Sequence, residues 1–217
     1  ADVLTQATKD TLLTEVLNKT SVVSIRPEFV DPFILKVVLK TVVIYNDAEL
    51  ISNRNILKAK IQNLLTVLNN AYIGDFMSSF IESYLSSQIS DLDTSIVGSN
   101  SRVSLRVDIK ALNNRLNFYN WTFNNKLYHP NDGFNAVNGG VVSSNLFYRE
   151  GRTYQSGLDD DGYGNLRLYD FIDNEKVTVN QIAGTVNYET GEIDIEDFDP
   201  ADGVIQFTAI PDSFDIE

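Results

Sequence analysis

Cysteine is absent from these 217 residues and histidine occurs once. The first absence removes disulfides, thiolate metal sites and cysteine nucleophiles together, and it fits a cytosolic origin. The second rules out a histidine-rich zinc site. His129 stands beside Pro130 among Asn, Asp and Gly, with no Ser/Asp arrangement nearby. It reads as a surface-turn residue rather than a catalytic base. No apolar run approaches the ~20 residues that a helical membrane span needs, and the N-terminus lacks the basic-then-apolar pattern of a secretory signal. Positive charge is scarce: 17 Lys and Arg stand against 30 Asp and Glu, a net charge of −13. Binding to phosphate backbones or anionic membranes depends on Lys and Arg displacing counterions, so neither nucleic acid nor membrane is expected as a partner. An initiator methionine is also missing. With its opening Ala1-Asp2 and its acidic ending, the chain is expected to be a piece of a longer polypeptide.

What is present is ordinary for a folded protein, with 43 % hydrophobic and 22 % charged residues. A chain of this length removes roughly 70 % of its unfolded surface from water on folding. The acidity is uneven. Beyond Lys176 no Lys or Arg occurs, while Glu189, Glu192, Asp194, Glu196, Asp197, Asp199, Asp202, Asp212, Asp215 and Glu217 follow. This reads as a solvated acidic edge that deters self-pairing, with a surface for a basic partner as the alternative.

The chain is organised around residues 29–72. Phe33, Leu35, Val37, Leu39, Thr41, Val43 and Tyr45 occupy odd positions, and the even ones carry Lys36 and Lys40. Alternation of this kind predicts a strand with one apolar face. The period then changes: Leu57, Ile61, Leu64, Leu65, Leu68 and Tyr72 form one helical stripe, which Ser52 or Asp47 is placed to cap. Phe76, Met77, Phe80, Ile81, Tyr84, Leu85 and Ile89 make a second stripe. Gly98-Ser99-Asn100 is expected to turn, and Ser101 to Lys110 alternates again. Upstream, Val3 to Leu17 suggests a short helix, and Thr20 to Arg26 an extended segment ended by Pro27.

Past Asn113 helical periodicity disappears and Asn, Gly, Tyr and Asp become frequent. Asp132-Gly133, Asn138-Gly139-Gly140, Asp161-Gly162 and Thr190-Gly191 punctuate short extended runs, as hairpin turns do. The clearest hairpin spans Gly184 to Ile195, with a turn in which Gly191 takes positive φ. The expected fold class is therefore α+β, with an N-terminal half of helices packed on a small mixed sheet and a β-rich C-terminal half of hairpins. The expected domains are 1–112 and 113–217, divided near residues 111–116.

Chemistry-bearing motifs are few. From Asp159 through Asp161, Gly164 and Asp170 the spacing is that of a calcium loop, with Asp159 and Asp161 as candidate ligands. Tyr163 replaces an oxygen ligand, however, and Asp170 is shorter than the Glu usual at the twelfth place, so a polar hairpin tip is the better reading. No cofactor is expected. Phe118, Tyr119, Trp121, Phe123 and Tyr128 cluster with only Arg115 and Lys126 as cations. This suits core or interface anchoring more than nucleobase stacking. Flanking asparagines leave a sugar-binding platform as an alternative. A glycosidase would need two of the thirty acids as a pair, and nothing selects which.

The order of elements around Ile25-Arg26-Pro27-Glu28-Phe29, Leu35 to Val43, Leu57 to Tyr72, Ile73-Gly74-Asp75-Phe76, Ser78 to Ile89 and Val103 to Ile109 resembles the baseplate J-like wedge proteins of contractile-tailed bacteriophages. More narrowly, it is similar to the C-terminal part of the ring-forming inner-baseplate subunit of T4-like phages. The Gly184–Ile195 hairpin also resembles segments of phage tail and baseplate chains. This resemblance implies a structural virion protein of the tail baseplate, assembled in the host cytoplasm, with no catalytic motif. It implies a homodimer that closes a ring around the tail tube. Such a subunit clamps other wedge proteins, including a sheath-like initiator, and the ring rearranges to trigger sheath contraction. The interface candidates are Leu57, Ile61, Leu64, Phe80, Tyr84 and Trp121. The alternative function is a β-rich tail module that binds carbohydrate or another host-surface group.

Overall fold

A computed structural model describes residues 4–17, 29, 33–50, 53–73, 79–110, 117–201 and 203–216. The chain divides into two compact units, Ala1–Ile34 and Leu35–Glu217. In the first, helix α1 (Gln6–Leu12) starts at Thr5, whose extended backbone and hydroxyl acceptor cap the Thr8 N–H. It runs on into a wide π-type turn, Leu13–Leu17. The extended segment expected over Thr20 to Arg26 lies outside the described residues.

The second unit is built on strands. These are β1 (Lys36–Tyr45), β2 (Ile96–Lys110), β3 (Asn117–Thr122), β4 (Val142–Ser144), β5 (Phe147–Tyr148), β6 (Gln155–Asp160), β7 (Asn165–Ile172), β8 (Glu175–Asn187), β9 (Glu192–Phe198) and β10 (Val204–Ala209). Helices α2 (Arg54–Leu68) and α3 (Glu82–Ser90) fall between β1 and β2, and a π-type turn, Asn69–Ile73, extends α2. Among the described residues all ten strands join one sheet in the order β1-β2-β10-β4-β6-β7-β8-β9-β3, with β5 on β6. Every pairing is antiparallel.

This overturns the expected α+β class. The first helical stripe forms over Leu57 to Leu68, but of the second only Tyr84, Leu85 and Ile89 are helical: Phe80 bridges to Ile216, Ile81 is extended, and Phe76 and Met77 lie outside the described residues. The molecule is mostly β and its sheet is not mixed. The physical reason lies in strand partnering. Periodicity reports which side of a strand is apolar and says nothing about which strand will pair with it. Here β10, near the end of the chain, pairs along β2, with Ile205, Phe207 and Ala209 opposite Ile109, Val107 and Leu105. The boundary expected near 111–116 lies outside the described residues, and strands from either side of it are hydrogen-bonded neighbours.

The side chains on the inner face of the sheet make the core. Val103, Leu105 and Val107 of β2, Ile205 and Phe207 of β10, and Ile193 and Ile195 of β9 are all buried. The sheet curls so that its β3 end returns over β10: the Trp121 ring lies 4.6 Å from that of Phe207. Phe198 is flanked edge-on by Tyr119 and Phe147, at 5.6 and 5.2 Å. The Leu85 and Ile89 side chains of α3 are buried in the same core. Its first turn has no cap from Ile81; Asp215 Oδ1 accepts the Glu82 N–H at 2.9 Å instead. Phe80 and Ile216 exchange two backbone hydrogen bonds of 2.8 Å. Part of the acidic ending is therefore a helix cap and a core contact rather than a solvated edge.

Two local expectations are settled here. The hairpin from Gly184 to Ile195 forms as β8–β9, with Gly191 at φ 71°. The turn expected at Gly98-Ser99-Asn100 does not form: these residues lie inside β2, opposite Ile44, Val43 and Val42. A ten-residue apolar strand needs a ladder partner along its whole length, and that demand overrides a local Gly-Ser-Asn signal. Among the described residues no helix is long and apolar enough to cross a membrane.

Candidate functional site

Strand β1 ends the sheet, so among the described residues one side of its backbone carries no ladder. Leu35, just before it, and its odd residues Val37, Leu39 and Val43 pack against the core. Its even residues face away, and Val38, Val42 and Ile44 are 41, 55 and 58 % exposed. Native edge strands are usually guarded by charge, proline or a bulge, because unpaired backbone groups recruit other strands. On β1 the guards are Lys36 and Lys40, and Lys36 Nζ is already engaged by Asp108 Oδ2 at 2.5 Å. The result is a long, apolar, weakly guarded edge.

Helix α2 lies over part of the inner side of β1. Asn53 caps it by accepting the Ile56 N–H at 3.0 Å; Ser52, one of the two expected caps, lies outside the described residues. The stripe faces the strand but does not close on it. A cleft of about 370 Å³ remains between Leu39, Thr41, Val43 and Tyr45 on one wall and Leu57, Ile61 and Leu65 on the other. Arg54, Lys58 and Gln62 rim it, and Arg54 Nε donates to the Tyr45 hydroxyl at 2.9 Å. Among the described side chains of the stripe Leu57 alone is buried; Ile61, Leu64, Leu65 and Leu68 are half-buried, so apolar area remains available to a partner.

A second polar tether, beside the Arg54–Tyr45 bond, holds α2 through Lys60. Asp93 accepts from the Ser95 hydroxyl at 2.8 Å and the Ser95 N–H at 3.2 Å, and from Lys60 Nζ at 3.1 Å. The Ser95 hydroxyl foremost, then Lys60, holds the Asp93 carboxyl below the usual carboxylate range. A depressed folded-state value means that this tether stabilises above the ordinary carboxylate pKa and is lost as pH falls through the folded one. Protection of the α2 amides against exchange should drop in that acid window and become less pH-sensitive in Asp93→Asn. Equal pH dependence in both proteins would show that the tether does not hold the helix.

The remaining candidates fall in different places. Leu57 and Ile61 line the cleft, and Leu64 packs half-buried against the core. Tyr84 is 45 % exposed on α3. Phe80 and Trp121 are core residues, only 6 and 5 % exposed, so neither presents a surface. Burial of Trp121 agrees with the core reading of this aromatic cluster and takes the central ring from the alternative, a sugar platform. Alternation along β3 carried this information, since it points Tyr119 and Trp121 inward and leaves Phe118 62 % exposed.

The three consecutive aspartates are occupied by protein donors. Asp159 accepts from Arg167 Nε at 3.1 Å and Lys176 Nζ at 2.8 Å. Asp161 closes the turn after β6, accepting the Tyr163 and Asn165 N–H groups at 2.8 and 3.0 Å. Asp160, fully buried, is the focus. Its Oδ1 accepts three successive backbone N–H groups, from Gly140, Val141 and Val142, at 3.1, 2.8 and 3.0 Å. Its Oδ2 accepts from Asn135 Nδ2 at 2.7 Å and the Tyr188 hydroxyl at 2.8 Å. Burial, then the charge of Asp160, pushes the Tyr188 phenol well above its ordinary pKa, so it remains a donor. His129 stacks on Tyr188 at 4.2 Å and is paired through Nε2 with the Gly162 carbonyl. Among the described residues no three acidic or histidine side chains gather as a metal site. This cluster anchors the loop before β4 to the sheet.

A second apolar edge was not foreseen. In β8, Glu175 to Thr178 and Asn180 pair with β7, and β9 takes up β8 only from Gly184 onward, so among the described residues the other side of Glu175 to Ile182 carries no strand. Every side chain in that stretch is exposed, Val177, Val179 and Ile182 among them. The turn that projects it, Asp173-Asn174, has φ of 50° and 66°, the left-handed pair of a tight hairpin. The Asp-Asn dipeptide was the available signal.

No protein-family model matches this chain, and a search of curated proteins returns no match.

Proposed function

We propose that this protein is a structural assembly subunit, which associates with copies of itself and with neighbouring chains through the β1 edge and the adjoining α2 cleft. The observation that carries this reading is β1 itself. A ten-residue edge strand with Val38, Val42 and Ile44 in solvent, bordering an open apolar cleft, is a surface suited to being covered. The finer reading, a ring-forming wedge subunit of a contractile phage tail baseplate, rests on the resemblance of the segments between residues 25 and 109. In a ring each contact can be modest, since closure makes successive associations effectively intramolecular. Contacts at a strand edge and an incompletely filled cleft are also compatible with rearrangement between two assembled states, because neither subunit has to unfold.

Sedimentation velocity across a dilution series tests the proposal. The wild-type chain should show a concentration-dependent dimer or larger species. Val42→Asp, which puts a carboxylate on the exposed face without touching the core, should raise the dissociation constant at least about tenfold, or 1.4 kcal/mol. A monomer at every concentration would sink the reading.

A further inference from the structure

The outward side of the sheet carries opposite charge at its two ends. On β1 and β2, Lys36 stands directly opposite Arg106, and Lys40 directly opposite Arg102. Like charges in cross-strand register repel. The first pair shares Asp108, with Lys36 Nζ at 2.5 Å and Arg106 Nε at 3.2 Å. The second pair has no acidic partner among the described residues, and both side chains are exposed. Val38 and Val42 flank Lys40 on the same face, and Ile44 lies beyond Val42.

At the other end, Glu192, Asp194 and Glu196 alternate along β9 and point outward, away from the buried Ile193 and Ile195. Among the described residues no cation pairs with them: Asn120 Nδ2 donates to Glu192 at 3.3 Å and to Asp194 at 2.5 Å, and the Thr185 hydroxyl lies 3.5 Å from Asp194. Beside them, on the edge strand β3, Phe118 is exposed. A single chain cannot bring the two surfaces together. The inner side chains of β3 and β10 touch through Trp121 and Phe207, so the outward sides of the sheet at these strands face away from each other.

We infer that a second copy of this chain docks its acidic β3–β9 face on the basic β1–β2 face, head to tail. The inference rests on the self-association proposed above and names its surfaces. The spacing agrees. Residues four apart in a strand are about 13 Å apart, and this is the separation of Lys36 from Lys40, of Arg102 from Arg106, and of Glu192 from Glu196. Phe118 supplies an apolar anchor for the Val42–Ile44 region. A symmetric pairing of the basic face with itself would oppose Lys40 and Arg102 to their own copies. A head-to-tail contact avoids that, and because its two surfaces differ it repeats into a closed ring or a filament.

Reciprocal charge reversal tests it. Lys40→Glu/Arg102→Glu and Glu192→Lys/Glu196→Lys each replace only exposed side chains, and unchanged thermal melts will verify folding. Each variant alone should associate at least about tenfold more weakly than wild type at low salt, and added salt should weaken the wild type towards the same level. An equimolar mixture of the two variants should recover association, because each then offers the face that the other lacks. Wild-type association that neither reversal weakens, or weakening that the mixture does not repair, would overturn the head-to-tail contact and leave self-association standing. A wild-type monomer at all concentrations would remove both.

Discussion

Asp160→Ala should destabilise the second unit by on the order of 4 kcal/mol, the largest loss expected from any single polar substitution in it. The reason is the number of donors left behind. Three backbone N–H groups, the Asn135 amide and the Tyr188 hydroxyl all point at this one carboxylate, within 2.7–3.1 Å. Backbone donors cannot rotate away, and water has little access to a site with no exposed area. A domain holds only about 5–15 kcal/mol in total, so the variant should sit at the margin of folding. Asp160→Asn should fall between the two, since its oxygen can still accept while its amide nitrogen meets other donors. Urea unfolding gives the comparison. A loss below about 1 kcal/mol for Asp160→Ala would mean that the loop reorganises freely and that the carboxylate is no anchor.

Gly184→Ala should be comparably severe, about 3 kcal/mol or more, through crowding rather than lost hydrogen bonds. A Cβ at residue 184 would collide with the Asp194 carbonyl oxygen and lie 3.1 Å from the Ile195 Cα. Both belong to the backbone of the paired strand, so no side chain can swing aside. The β8–β9 ladder would have to open, carrying Ile193 and Ile195 with it out of the core. Gly98→Ala is the control, since nothing lies within 4 Å of its added carbon. There the change should stay within about 0.5 kcal/mol. Equal thermal shifts in the two variants would refute the steric account.

The contrast between these glycines shows what was legible in the sequence. The hairpin of Gly184 could be read from its alternation and its Thr-Gly turn, and it forms between β8 and β9. Gly98, in an equally turn-like tripeptide, sits in mid-strand because β1 pairs past it. Local patterns set the period, as β1, α2 and β2 demonstrate, but the pairing of β2 with β10 joins residues about a hundred positions apart, and no window contains both. The same limit applies at the candidate sites. The stripe carrying Leu57 and Ile61 pointed to the cleft, because a helical face is a local property. The clustering of Trp121 with other aromatics drew attention to it as an interface anchor, whereas strand alternation would have placed it inward. Asp160 could not be singled out from Asp159 and Asp161, since its role depends on a loop twenty residues earlier that curls its backbone around one oxygen.

The contact of Phe80 with Ile216, the Asp215 cap on α3 and the pairing of β10 with β2 have a consequence for how the molecule is made. As the chain emerges from a ribosome, β1 and β2 can meet early. Yet β2 lacks its second neighbour, and α3 lacks its first-turn acceptor, until residues 204–216 have also been extruded. Nascent chains stalled short of that point should remain protease-sensitive throughout this region and gain resistance abruptly once the final strand arrives.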